Sequence, residues 1–479
     1  MTDAQRALIA PFVSEMEGPV FAIAGLPEEV IAVVFAYVSR RPHGFRENLA
    51  ELLATGEITQ APTGHNWLAP SAKAAAFHER WVVGYGHSSV AEHAVVHLGV
   101  EGISRLASAQ LELSNPYLSF TEYSQRYQQP KAGAFAMPVE LADHPRWKER
   151  FSTLQNRLYQ SYEALLDKLV TARASQEPAK PDEREAQYQR RLRRASFEDA
   201  RYVLSLAVRT SLGMTTNARA LGEALRCLAA SPYGEVRQLA EALREQASKV
   251  TPTLLRHVEP SVFERDWYDH QPPAVFDSSG ELALIDYTGA GSAAAETTAV
   301  SQLIGQALPF AADASPAERL QQLERYLQLL GPFDALPAAF TSIRYRFRFS
   351  LSEAAFHQLL RHGRRMLLVA GAPTTAGTPV IPPAVSAAGG EQLLIDATEA
   401  AKELFDELVQ DVPQAAAYTV TNAHRRQVIC EIDLAELYHF LNLRSTAEAQ
   451  WEIRALAGAM QRAVARVHPH LIGFAVRRA

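Results

Sequence analysis

Residues 343–349, Ile-Arg-Tyr-Arg-Phe-Arg-Phe, alternate apolar and cationic side chains without a break. In an extended chain Ile343, Tyr345, Phe347 and Phe349 share one side and Arg344, Arg346 and Arg348 the other, so the pattern predicts one strand of a half-buried sheet. The arginine stripe reads as a solvated or interface face. Elsewhere the period lengthens. Residues 217–243 and 433–460 carry apolar side chains at i, i+3, i+4 and i+7, which predicts long helical hairpins. Residues 77–93 predict a further long helix. Strand and helix periods together make the fold class α+β.

The patterns occur twice. Residues 103–114 parallel 351–362, each with a Gln followed by a short polar tract, and 217–243 parallel 433–460. A repeat of this kind sets the fold reading, and the chain reads as two diverged copies of one unit. Each copy is expected to run helix, strand, helix, irregular loop, then helical hairpin. Two proline-bearing stretches look like connectors, 172–185 and 257–280. The second breaks helical periodicity for longer and divides the chain into 1–262 and 275–479.

Composition narrows the function. The chain has 479 residues, 47% hydrophobic and 21% charged, enough to bury more than one core. Lys and Arg total 47 against 53 Asp and Glu, a net charge of −6, so no general cationic field grips nucleic acid or an anionic membrane. Any basic site must be local. The acidic start lacks the basic region of a secretion signal and no run of about 18 apolar residues occurs, so a cytoplasmic protein is expected. Cys227 and Cys430 lie far apart in apolar surroundings and read as core filler, with no disulfide framework.

Several stretches carry candidate chemistry. Residues 119–130 crowd Glu122, Ser124, Gln125 and Arg126 together, and hydroxyl, amide and guanidinium groups on one turn suit a phosphate ester. Residues 357–365 put Arg361 and Arg364 at the end of an apolar segment, as an anion grip or a wet helix end. In 86–93, His87 and His93 fall about 240° apart on a helix and cannot share a metal, so capping by Ser88 or Ser89 with Glu92 reaching back is the simpler account. No metal site is read. The run Arg-Arg-Leu-Arg-Arg at 190–194 reads as a solvated helix face because acids follow at once. The glycine-rich phosphate loops, GxSxG and HExxH are absent.

Together these segments resemble the flavin-dependent thymidylate synthases, which methylate dUMP using FAD, a reduced nicotinamide and methylenetetrahydrofolate. GHSSVAEHAVV (86–96) is similar to the family's G-H-x-S-x-x-E-H helix, SFTEYSQRY (119–127) to its S-x-x-E-x-S-x-R-Y loop, and ARYVLSL (200–206) with NARAL (217–221) to its A-R-x-V-L-P-L and N-A-R segments. FHQLLRH (356–362) is similar to its Q-x-x-R-H-R signature, and 440–454 to its C-terminal helix. The resemblance covers most of both halves and implies two tandem copies of that fold, an antiparallel sheet with long helices.

The departures are complementary. Where the family has R-H-R, the first copy has Ser114, Asn115 and Pro116, while the second keeps Gln358, Arg361 and His362 but has Gly363 for the last Arg. The second copy in turn lacks the S-x-R-Y loop, and its Tyr418 falls near the position of Arg201. The resemblance therefore implies one composite nucleotide site, Gln358 and Arg361 facing Glu122, Ser124, Gln125, Arg126 and Arg201. It implies flavin contacts at Ser89, Glu122, Asn217, Arg219 and His362, and an activating cation at Arg444, the first copy having only Arg226 nearby. The expected function is an FAD- and uridylate-binding protein that transfers a one-carbon unit to dUMP, with NADPH and methylenetetrahydrofolate as co-substrates. A catalytically inactive nucleotide-binding or scaffold homologue is the alternative. The expected assembly is a homodimer imitating the family's tetramer, without nucleic-acid or membrane partners.

Overall fold

The computed structural model describes residues 1–17, 21–38, 44–54, 58–60, 68–70, 88–256, 258–269, 282–292, 294–300, 313–363 and 365–477. His87, Arg364 and most of the helix expected at 77–93 lie outside the described residues. The chain forms two compact units that interleave along the sequence. One comprises Met1–Ile103, Gln110–Glu122 and Thr210–Gln271, the other Ser104–Ala109, Tyr123–Arg209 and Pro272–Ala479.

The first unit carries a three-stranded sheet of β1 (Val95–Ser104), β2 (Ser119–Glu122) and β3 (Arg209–Asn217), in the order β1-β3-β2. β2 and β3 run antiparallel, Ser119 opposite Thr215 and Glu122 opposite Leu212. Ser88–His93 forms a 3-10 turn before β1 rather than the end of a long helix. A carboxylate fixes the unit's N-terminal segment, since buried Glu29 accepts from the backbone N–H groups of Thr253 and Leu254 at 2.8 and 3.2 Å. After β3 come the helices Ala218–Ala229 and Gly234–Ser248, the hairpin that the apolar period predicts. Val262–Asp269 forms a short helix inside the stretch read as a connector.

The second unit is built on the antiparallel sheet β4 (Ala283–Tyr287), β5 (Arg344–Ser352), β6 (Met366–Ala370) and β7 (Arg425–Asp433), in the order β4-β5-β7-β6. β5 realises the alternation of its sequence: Tyr345, Phe347 and Phe349 are buried, and Arg344 and Arg346 stand outside, paired with Glu431 at 3.0 and 2.7 Å. After the short helix α1 (Arg105–Leu113), two longer ones, α2 (Pro145–Gln176) and α3 (Glu185–Ala200), form a hairpin in this unit. The strand leads into α4 (Glu353–Leu359), and β7 into the hairpin α5 (Leu434–Arg444) and α6 (Trp451–Ala465). Cys430 is fully buried on β7 and burial pushes its thiol well up, which fits core filler, whereas Cys227 is only half-buried.

Equivalent loops of the two repeats meet inside the second unit. The amide of Leu206 donates to Val420 O and that of Asn422 to Leu204 O, both at 2.8 Å. Arg105 and Leu106 donate to Val208 and Leu206, and Glu353 and Ala354 to His424 and Asn422 in the same pattern. That register sets Arg105 against Glu353 and Gln110 against Gln358, so Leu113, rather than Ser114, stands where the second copy has Arg361. It likewise matches Tyr418 to Tyr202 and Ala417 to Arg201.

Helix α5 begins at Asp433, whose carboxylate accepts from the Glu436 N–H at 2.8 Å. Substituting Asp433→Ala removes this cap and is expected to cost about 1 kcal/mol in urea unfolding. No helix among the described residues is long and apolar enough to cross a membrane.

Candidate functional site

Helix α3 ends in a 3-10 turn, Arg201–Val203, that turns Arg201 inward until only 2% of it remains exposed. A buried guanidinium keeps its charge only where donors are met and anions are near. Arg201 Nε donates to Glu198 O at 3.2 Å, while Nη2 has no partner. Burial lowers its pKa to about 10, and the neighbouring Arg105 and Arg126 press it the same way against Tyr202 and Glu198. The residue sits in an excess of positive charge.

Gln125 lies beside it. Asn422 Nδ2 donates to Arg201 O at 2.9 Å and to Gln125 Oε1 at 3.3 Å, which orients the Gln125 amide and leaves its Nε2 without an acceptor. The turn after β2 also positions Arg126: its backbone N–H donates to Ser124 Oγ at 3.3 Å, its Nε pairs with Glu198, and its Nη2 donates to Glu448 O at 3.1 Å. Glu448 lies on the link between α5 and α6, so this contact brings the turn to the end of α5.

Arg444 closes α5 from that side. Burial lowers its pKa, and so do Arg361 and then Arg126, which brings cations of both repeats to one place. Its Nε donates to His362 Nε2 at 2.9 Å. With Nε2 accepting, neutral His362 carries its proton on Nδ1, which faces Glu436 Oε1 at 3.5 Å. Burial holds His362 below the usual imidazole range. Arg361 is exposed one turn beyond Gln358 and has no carboxylate partner among the described residues. Behind them His357 is buried with neither ring nitrogen bonded, held well below its ordinary pKa by burial and then by Arg105, Arg426, Arg201 and Arg361. Arg426 is neutralised by buried Glu353 at 2.7 Å.

Of the expected residues, Ser124, Gln125, Arg126, Arg201, Gln358, Arg361, His362 and Arg444 fall in the second unit, and hydrogen bonds or neighbouring charges connect all of them but Gln358. Arg105, His357, Glu198, Asn422 and Glu436 join them, and motif reading missed all five. Arg105 and His357 gave one signal, a polar side chain at an apolar position of a helix. Such an assembly can hold a dianion such as a phosphate ester, with amide and guanidinium donors replacing water.

The other expected residues belong to the first unit. Glu122 is buried on β2 and accepts from Thr210 Oγ1 at 3.1 Å. Asn217 caps the helix Ala218–Ala229, accepting from the Ala220 N–H at 2.9 Å. Arg219 pairs with Glu92 at 2.6 Å and Glu223 at 3.4 Å, so Glu92 turns to Arg219 rather than reaching back as a cap. Ser89 is exposed on the 3-10 turn.

His362, Glu436 and His439 also bring ligand atoms within 4.8 Å of one another. A metal on His362 Nδ1 would have to displace the proton facing Glu436 while Arg444 still occupies Nε2. The hydrogen bonding present favours a fixed neutral imidazole.

A family model described as thymidylate synthase complementing protein matches residues 27–253 and 283–470. A UPF0159 protein of Thermoplasma acidophilum is 24% identical over 454 residues, 83% of this chain and 87% of its own. A flavin-dependent thymidylate synthase of Sulfolobus acidocaldarius is 33% identical over 212 residues, 43% of this chain and 71% of its own. A crystal structure of a flavin-dependent thymidylate synthase from Helicobacter pylori, complexed with FAD and dUMP, aligns with 41% of this chain and 99% of its own at 18% identity and a TM-score of 0.31.

Proposed function

Because the chain belongs to the thymidylate synthase complementing protein family, its model matching both repeats, we propose that the second unit binds the phosphate of a uridylate-type nucleotide. The observation that carries this reading is the pair of buried donors without acceptors, Arg201 Nη2 and Gln125 Nε2, set among Arg105, Arg126, Arg361 and Arg444. Buried donors left unmet are costly, and an anion there satisfies both the hydrogen bonds and the charge. Ser124 and Gln358 flank the same anion.

In this reading Arg444 faces the pyrimidine ring and stabilises negative charge on it, with Glu436 and His362 fixing the direction of its guanidinium. FAD supplies the electrons when bound, with NADPH as reductant and methylenetetrahydrofolate as one-carbon donor. His362, Ser89, Glu122, Asn217 and Arg219 are the proposed flavin contacts. A homodimer imitating a tetramer is the proposed assembly.

A second reading is a nucleotide binder without turnover. It is favoured by the local tasks of Asn217 and Arg219: Asn217 Oδ1 is committed to a helix cap, and Arg219 Nη1 and Nε to two ion pairs.

The deciding measurement is dUMP-dependent oxidation of reduced flavin by the purified chain, with uridine as the control that lacks a phosphate. Turnover with dUMP and none with uridine supports the first reading. Saturable dUMP binding without turnover selects the second, and a protein that binds neither FAD nor dUMP eliminates both.

A further inference from the structure

The four arginines of residues 190–194, expected as a solvated helix face, line a cleft of about 640 Å³. Arg190, Arg191, Arg193, Arg194 and Phe197 of α3 form one wall, and Arg126 and Tyr127 the other. The opposite side of α3 is buried through Leu192 and Ser196, which fixes the arginines toward the cleft.

Their ion pairing is uneven. Arg191 is committed to Glu183 and Glu177, both at 3.0 Å. Arg193 reaches Glu163 and Asp167 at 3.4 and 3.5 Å. Arg190 donates only to Ala186 O of its own helix at 3.2 Å, and Arg194 lies 4.9 Å from the centre of the Tyr127 ring. Neither has a carboxylate partner among the described residues. They stand one turn apart on one face, where like charges repel unless an anion bridges them. Arg126 adds a third guanidinium across the cleft, its Nε paired with Glu198, which also lines it.

We propose that this cleft binds an oligophosphate group, two or more linked phosphates as in a nucleoside triphosphate or a dinucleotide. Two planar guanidinium forks one turn apart match successive phosphates better than a single one. The volume suits a small ligand. A nucleic-acid strand would want a continuous basic track with several exposed aromatics, whereas here the cleft holds Tyr127 and the largely buried Phe197, and carboxylates flank the arginines. The proposal goes beyond the uridylate reading, since only Arg126 is common to both.

Isothermal titration of the full chain with tripolyphosphate, ATP, NADPH, orthophosphate and a short single-stranded oligonucleotide tests it. One equivalent of tripolyphosphate should bind in competition with ATP or NADPH, the tighter of which identifies the natural source. Combining Arg190→Ala with Arg194→Ala should weaken it by about thirtyfold or more. The same double variant should keep its thermal midpoint and change dUMP affinity by less than about threefold, which separates this cleft from the uridylate site. The proposal is overturned if tripolyphosphate binds no tighter than orthophosphate or binds the double variant equally well. It is also overturned if the oligonucleotide binds more tightly than ATP with a steep salt dependence.

Discussion

Arg444→Ala is expected to lower dUMP-dependent oxidation of reduced flavin by about a hundredfold or more, with a smaller change in KM for dUMP. The guanidinium is partly buried, its pKa is depressed by burial and by two neighbouring arginines, and it bonds no carboxylate among the described residues. A cation held this way is stabilised by any negative charge that develops beside it, and that gain is largest when the charge appears in the transition state. Arg444 also donates to His362, so a purely structural role must be separated. Arg444→Gln keeps a donor for His362 Nε2 and loses the charge; it should lose turnover as Ala does. Recovery by Gln, or a loss below about threefold in both variants, would assign Arg444 to packing and remove it from the proposed chemistry.

That prediction depends on a neighbourhood the sequence showed only in part. β5 was legible because its charged side chains all point outward, so period and burial agree. β7 was not, although Val428, Cys430 and Ile432 alternate inward, because the same inward row includes Arg426, tolerated only through Glu353. β3 was hidden for a different reason: Gly213 and its threonines leave only Leu212 and Met214 as apolar signal.

The site divides the same way. The repeat motifs pointed to Arg126, Arg201 and Arg361, yet the contacts that gather them pair chain segments more than 200 residues apart, such as Leu206 with Val420 and Arg126 with Glu448. No local period encodes such pairing. A buried Arg201 runs against the surface preference of its residue type, and only the fold explains its place. The arginine run at 190–194 is the solvated helix face its composition suggests, with Arg190 and Arg194 exposed, but composition does not reveal that Arg126 and Tyr127 stand across a cleft from it.

Acidification provides the other large effect. Lowering the pH from 7 to about 4 is expected to remove on the order of 3 kcal/mol of folding stability for each of His424 and His468. Burial depresses both to about 4 in the fold. His424 accepts from the Thr421 N–H at 2.9 Å, and His468 Nδ1 meets Tyr345 Oη at 2.9 Å. An unfolded imidazole protonates near 6.5, so between that value and about 4 the unfolded chain binds more protons than the fold. Their contribution is therefore whole above pH 6.5 and drains away as the pH falls toward 4. Asp199 opposes this. Burial and then Glu198 raise its carboxyl to about 6 despite Arg173 at 3.4 Å, so protonation below pH 6 relieves a cost of roughly 3 kcal/mol. Burial raises Glu29 and Asp433 in the same sense as Asp199, while buried His357 and His362, and carboxylates lowered by ion pairs such as Glu431 beside Arg346 and Arg344, act with the two histidines, so the net slope is a loss. Urea unfolding at pH 7 and pH 4.5 measures it directly. His424→Gln, which keeps an acceptor for Thr421, should flatten the difference by roughly a third to a half. Equal stability at both pH values, or a variant as acid-sensitive as the parent, would mean that these imidazoles titrate as they do in water.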